Sequence, residues 1–200
     1  VDRHVEPLKG EIEVRNLTFA YNEDSPPVLQ DLSFHVQPGQ TLAIVGPTGC
    51  GKTTIVNLLL HLYRLPRGHI FYDGIDINDV PLDVLRQSIA YVSQEVFLFS
   101  DTIRSNILFG VPEDEPLPDK EMVFAAERAQ LVRDVDSFPK GFDTEIGERG
   151  ITLSGGQKQR TGIARALVLK RPILILDDCL SAVDTDTEEA ILRGMKESIY

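Results

Sequence analysis

The sequence predicts an α/β fold: a mostly parallel sheet with flanking helices, an N-terminal antiparallel β subdomain and an inserted α-helical subdomain. Three observations predict it. Thr41-Leu42-Ala43-Ile44-Val45 is a short continuous apolar run followed at once by glycines and a helical pattern, as in strands covered on both faces. Ile173-Leu174-Ile175-Leu176 is a second such run and ends in two aspartates. Between them, from about Asp101 to Leu169, helical periodicity alternates with loop punctuation.

The elements follow in order. Residues 11–19 alternate polar and apolar side chains, the pattern of a half-buried antiparallel strand, and residues 28–36 read similarly. Pro26-Pro27 and Pro38-Gly39 punctuate them as turns. Residues 41–45 predict the first buried strand. Lys52 to Tyr63 is apolar almost all round and free of Gly and Pro, so it predicts a buried helix. The acidic, Pro-rich stretch from Val111 to Glu121 reads as a solvated surface loop. No internal repeat is visible.

Composition narrows the function classes. Two hundred residues with 42% hydrophobic content suffice for one packed domain, with or without a subdomain. Twenty basic against 31 acidic residues give a net charge of −11; that balance disfavours non-specific attraction to nucleic acid or anionic lipid, so no nucleic-acid partner is expected. Cys50 and Cys179 lie far apart and suggest neither a disulfide framework nor a metal site. No apolar run approaches the roughly 20 residues that cross a bilayer.

Gly46-Pro47-Thr48-Gly49-Cys50-Gly51-Lys52-Thr53 matches G-x-x-x-x-G-K-[ST], after a predicted strand and before a predicted helix. Glycines let successive N–H groups point inward, and the helix beginning at Lys52 adds its positive dipole end, so the segment makes an anion cradle. Lys52 neutralises the β- and γ-phosphates, Thr53 offers a hydroxyl to Mg²⁺, and Thr54 extends the cradle. The plain alternative is a Gly-rich turn before a helix. Asp177, at the end of the second buried strand, stands where a carboxylate can hold the magnesium shell, although by itself it would be only a strand end. Together the two motifs predict a P-loop NTPase core.

Leu153-Ser154-Gly155-Gly156-Gln157-Lys158-Gln159-Arg160 resembles the signature of ATP-binding-cassette (ABC) ATPases. Physically, Ser154 and the glycines open a predicted helix from Gln157 to Leu169 and present backbone N–H groups; a capping site is the plain reading. The resemblance implies that Ser154, Gly155, Gly156 and Gln157 contact the nucleotide of a second ABC domain in trans. It further implies that Tyr21 stacks on adenine, where a core or surface tyrosine is the alternative, and that Gln94 touches Mg²⁺ and the attacking water. Ser181-Ala182-Val183-Asp184 resembles a loop that contacts the opposite subunit, although Asp184 also suits a helix N-cap.

Thr144 to Gly150 and Val96 to Ile107 are similar to exporter segments, in particular those of bacterial multidrug or lipid half-transporters. This implies a transmembrane-domain partner and a place at the cytoplasmic face of the inner or plasma membrane. On this reading residues 1–10 are the tail of a linker, residues 11–200 the ABC domain, and residues 101–169 its helical subdomain. The chain would be cut short before the family's switch histidine; His4, His35, His61 and His69 stand nowhere comparable.

One position departs from the family. The general base after Asp177 is normally glutamate, but here it is Asp178, one methylene shorter than a base that must come within about 2.6–3.2 Å of its proton. An intact signature beside a weakened base resembles one half of a heterodimeric exporter, so a heterodimer is favoured and slow turnover expected. A homodimer that tolerates Asp, a regulatory ATP-binding half, and a soluble ABC ATPase outside transport are the alternatives. Cys50 is a tolerated small residue or, if accessible, a thiol whose alkylation blocks the loop.

Overall fold

A computed structural model describes residues 6–147 and 150–196. The chain divides into two compact units, Val1–Ile89 and Ala90–Tyr200.

The first unit is built on a four-stranded antiparallel sheet of order β2-β1-β3-β4, from β1 (Ile12–Phe19), β2 (Leu29–Val36), β3 (Ile70–Tyr72) and β4 (Ile75–Asp76). Alternation in β1 sends Ile12, Val14 and Leu17 into the core while their neighbours face out. The register of β1 with β2 shifts between Val14 and Phe19. There Asn16 and Asp31 adopt left-handed backbone angles, and side chains take over the ladder's work. Asn16 N donates to Ser33 Oγ at 2.8 Å and Asp31 N to Thr18 Oγ1 at 3.0 Å, as a bulge requires. Tyr72 pairs with Ile75 across Asp73-Gly74, both at positive φ, a two-residue hairpin of the favoured Asp-Gly type.

Helix α1 (Lys52–Leu59) buries Ile55, Val56, Leu58 and Leu59. It ends earlier than the sequence predicts, which had placed Leu62 and Tyr63 within it. His61 takes a left-handed conformation, Leu62 N donates to Asn57 O at 2.9 Å and His61 N to Leu58 O at 3.0 Å, the paired bonds of a Schellman cap. That cap turns Leu62 and Tyr63 outward. Helix α2 (Leu82–Ser88) follows.

The run Thr41–Val45 is a second correction. It forms no strand, and Leu42, Ile44 and Val45 are exposed, the last by 88%. A strand of this class exists only through ladder bonds from neighbours on either side. The antiparallel sheet of this unit supplies none to it.

The second unit has a two-stranded sheet of β5 (Ile89–Val92) and β6 (Ile173–Leu176). Helices α3 (Ile103–Leu108), α4 (Asp119–Arg128), α5 (Val132–Asp136), α6 (Gly155–Val168) and α7 (Thr185–Lys196) surround one apolar core. Ile103, Ile107, Met122, Leu131, Ile163 and Ile191 are its largest wholly buried members. The acidic stretch stays a loop to Pro118, after which Asp119 and Glu121 enter the first turn of α4, where negative charge complements the helix dipole. Among the described residues no helix is long and apolar enough to cross a membrane.

Candidate functional site

In the first unit the loop Gly46–Lys52 lies between an exposed approach and α1. Cys50 N donates to Pro47 O at 3.3 Å, closing a turn through Thr48. Gly49 and Gly51 have φ of 84° and 98°, angles that glycine alone adopts without strain. Gly51 is doubly constrained: a Cβ there would stand 2.8 Å from Leu29 Cδ2, at the start of β2. Gly51 is the N-cap of α1 and, lacking a side chain, makes no side-chain cap hydrogen bond, so the helix starts directly at the loop with Lys52, Thr53 and Thr54 in its first turn. Lys52 Nζ folds over the curve, donating to Gly46 O at 2.7 Å and Pro47 O at 3.0 Å. A helix start with a glycine N-cap and an ammonium bent onto the loop form a donor set suited to a polyphosphate.

Tyr21 follows β1 in the same unit. Its hydroxyl lies 2.8 Å from Thr54 Oγ1, in the first turn of α1. Its ring meets Phe19 and Tyr63 edgewise, each at a centroid distance of 5.2 Å. It remains 45% exposed, leaving apolar ring surface open to a flat ligand.

The second unit gathers Gln94, Asp177 and Asp178. Asp177 N donates to Val92 O at 2.9 Å, fixing the end of β6 against β5. Asp177 also accepts from the Tyr91 phenol; burial first, then the charge and hydrogen bond of Asp177, push that phenol above its ordinary range. Asp178 turns into the left-handed region with φ 49°, and its Oδ2 accepts from Gln94 Nε2 at 3.2 Å. Cys179 is buried beside them, its thiol pushed up to about 12 by burial and by the charges of Asp178 and Asp177.

The signature opens α6, two residues earlier than the sequence predicts. Ser154 Oγ accepts from Gln157 N at 3.2 Å, and Gln157 Oε1 accepts from Ser154 N at 2.9 Å, a capping box. The glycines are there for closeness: a Cβ on Gly156 would stand 3.0 Å from Ala182 O, and one on Gly155 3.5 Å from Ala182 Cβ. Gln159 joins the same two segments, donating to Ser181 Oγ at 3.4 Å and accepting from Ala182 N at 3.0 Å. Asp184 accepts from Thr187 N at 2.9 Å, so it does cap α7.

Sequence reasoning missed Asp134. Its Oδ1 accepts from Gln157 Nε2 at 3.0 Å, and its Oδ2 from Arg160 Nη2 at 2.7 Å and Nε at 3.2 Å. Both side chains are largely buried. A lone aspartate in Arg133-Asp134-Val135-Asp136 carries no sequence signal. Arg165 was missed too: it reaches from α6 to Asn106 O at 2.7 Å and Phe97 O at 2.9 Å, and burial lowers its pKa. It thereby pins Phe97 and Asn106 to α6; Val96 to Phe99, together with Ile146, Gly147, Ile151, Thr152, Leu153 and Lys158, line a groove of about 300 Å³. Phe97, Phe99 and Phe109 are exposed beside it. Glu148 and Arg149 of the exporter-like loop, and residues 1–5 of the expected linker, lie outside the described residues.

The loop residues and Tyr21 thus stand in one unit, and Gln94, Asp177, Asp178 and the signature in the other. Thr53 offers a hydroxyl in the first unit, and Gln94 and Asp177 an amide oxygen and a carboxylate in the second, each a hard oxygen donor of the type magnesium takes.

The family model described as "ABC transporter" matches residues 29–181. An ATP-dependent lipid A-core flippase of Idiomarina loihiensis is 47% identical over 189 residues, 94% of this chain and 32% of the relative. One from Aromatoleum aromaticum is 48% identical over 190 residues, 95% of this chain and 31% of the relative. The chain therefore spans about a third of the length of the curated relatives it matches. A bacterial Atm1-family ABC exporter solved with ATP bound superposes with a TM-score of 0.86 at 42% identity, over 95% of this chain and 33% of that one.

Proposed function

The chain belongs to the ABC transporter family, as an ATP-binding domain of the exporter type, and from that premise we propose that it binds Mg-ATP at the Lys52 loop, pairs with a second ABC domain around the nucleotide and hydrolyses it to drive export. The observation that carries this reading is the loop itself. Gly49 and Gly51 hold angles that curl the backbone, α1 begins without a side-chain cap, and Lys52 bends over the curve. Thr53, Gln94 and Asp177 would hold magnesium, which supplies charge neutralisation on the phosphates. Tyr21 takes the adenine.

In this reading Asp178 accepts the proton of the attacking water while Gln94, bonded to it, orients that water. The shorter carboxylate makes the site slow, which favours pairing with a different ABC domain that carries a full-length base. Ser154 to Gln157 would serve the partner's nucleotide rather than this chain's own. A regulatory half that binds ATP without turning it over is the second reading, favoured by the same residue.

The groove along Val96 to Phe99, with Phe97 exposed by 69%, is the surface proposed to take the transmembrane partner. An exposed aromatic patch of this kind suits a protein interface. The cytoplasmic face of a membrane, where ATP is available, is the corresponding location, and the partner's membrane spans set what is exported.

Light scattering with and without Mg-ATP tests the pairing, using an Asp178→Asn background to suppress turnover. The reading expects ATP-dependent dimers, alone or with a partner ABC domain, that Ser154→Arg abolishes while each chain still binds ATP. Dimers unaffected by Ser154→Arg would remove the signature from the interface.

A further inference from the structure

The ring that is read as the adenine platform does not stand alone. Tyr21 follows a bulged strand and is the second residue beyond β1; a side chain so placed, with nearly half its surface in water, has ample freedom unless neighbours restrain it. Three restraints are present. Its hydroxyl is held 2.8 Å from Thr54 Oγ1, and Thr54 is itself buried in α1. Phe19 crosses the ring at 81° and Tyr63 at 77°, both with centroids 5.2 Å away, and Phe19 and Tyr63 stand 5.8 Å apart. The geometry is a closed triangle of rings within the favourable range for edge-to-face contact.

Tyr63 lies beyond the end of α1, carried there by the left-handed His61 of the Schellman cap, and is 41% exposed. It therefore contributes little to the core. Its described ring contacts are with Phe19 and Tyr21. The same helix thus carries the phosphate-binding Lys52 at its start and, just past its end, a ring that braces Tyr21.

We propose that Tyr63 is a positioning residue for base recognition, holding the Tyr21 ring in the orientation in which it stacks on the base of a purine nucleotide. This rests on the reading of Tyr21 as the adenine platform. Tyr63 acts through Tyr21, so its removal lowers affinity only for ligands that carry a base. An edge-to-face pair at a partly exposed site corresponds to roughly a 2- to 12-fold change in an equilibrium constant.

The test is calorimetric titration of the full chain with Mg-ATP and with Mg-tripolyphosphate, which engages the phosphate loop and has no base. Tyr63→Ala is expected to weaken ATP binding about 5-fold and leave tripolyphosphate unchanged. Tyr63→Leu, which keeps apolar bulk for folding but lacks the ring, is expected to behave the same way, and Tyr63→Phe to bind both ligands as the parent does. The double variant Tyr21→Ala/Tyr63→Ala is expected to bind ATP no more weakly than Tyr21→Ala alone. Three results overturn the inference: unchanged ATP affinity in Tyr63→Ala and Tyr63→Leu, equal loss for both ligands, or additive losses in the double variant. Loss on Tyr21→Ala without loss on Tyr63→Ala refutes the bracing role and leaves the platform standing. A Tyr21→Ala chain that binds ATP like the parent refutes the platform and the bracing role together.

Discussion

Gln94 and Asp178, 84 positions apart in sequence, are joined by a hydrogen bond of 3.2 Å from Nε2 to Oδ2. The bond places the amide that would orient a water directly on the carboxylate that would deprotonate it. Asp178 sits at φ 49°, in a region that Asp tolerates better than longer residues do.

Lengthening that carboxylate tests whether it limits turnover. Asp178→Glu in the complete transporter is expected to raise kcat about tenfold or more at saturating ATP, within the span of general-base effects. The left-handed backbone should make the same variant less stable by about 0.5–1 kcal/mol. Steady-state ATPase assays and urea unfolding measure the two; no rise in kcat means that the short side chain is not the limitation.

Asp134 should matter out of proportion to its obscurity in the sequence. Asp134→Ala leaves Arg160 largely buried without its carboxylate and frees Gln157 Nε2, a change expected to cost about 2–3 kcal/mol in urea unfolding. Because Gln157 belongs to the capping box at the signature, ATP-dependent pairing is expected to weaken more than ATP binding by the single chain. Unaltered stability would show that the bonds to Asp134 are energetically idle.

Alkaline stability should be governed by buried phenols and the buried Cys179 thiol. Tyr72 is wholly buried, donates to Leu59 O at 2.7 Å, and burial raises its pKa; that of Tyr91 is raised as well. For a group with a raised folded-state pKa, the stabilisation is complete below the unfolded pKa and is lost as pH climbs beyond it. Unfolding free energy is therefore expected to be level through neutral pH, to begin falling from about pH 8.5 through the buried Cys179 thiol, and to fall more steeply from about pH 10 through the phenols. Tyr72→Phe should lose about 1 kcal/mol at pH 8 and show a shallower alkaline fall. An identical pH slope in the variant would remove Tyr72 from the effect.

The two thiols should separate cleanly. Cys50 is exposed on the phosphate loop, and Cys179 is buried with its thiol pushed up to about 12. A maleimide at pH 7.5 is expected to modify Cys50 alone, to abolish ATP binding and to be excluded by Mg-ATP. Cys179 should react only after unfolding. A labelled Cys50 that leaves affinity unchanged would show that the thiol lies clear of the nucleotide.

Much of this was legible because its signals are local. The phosphate loop is a contiguous string whose glycines are needed for φ, the signature carries its own capping box, and alternation marked β1 and β2. What was not legible depends on partners distant in sequence. Thr41–Val45 has the composition of a buried strand, yet strand formation requires neighbours that composition does not specify. The end of α1 depended on His61 accepting a left-handed angle, for which histidine is no strong sign. Asp134, Gln159 and Tyr63 acquire their roles only when segments up to 44 positions away fold against them.

Calorimetric titration of the folded chain with Mg-ATP, beside Lys52→Ala, measures the claim on which the rest depends, that the loop wraps a polyphosphate. Saturable binding of one ATP per chain, weakened at least tenfold by Lys52→Ala with no change in fold by circular dichroism, is the expected result. A folded parent chain without affinity for Mg-ATP, or a Lys52→Ala chain that binds it equally well, would contradict it.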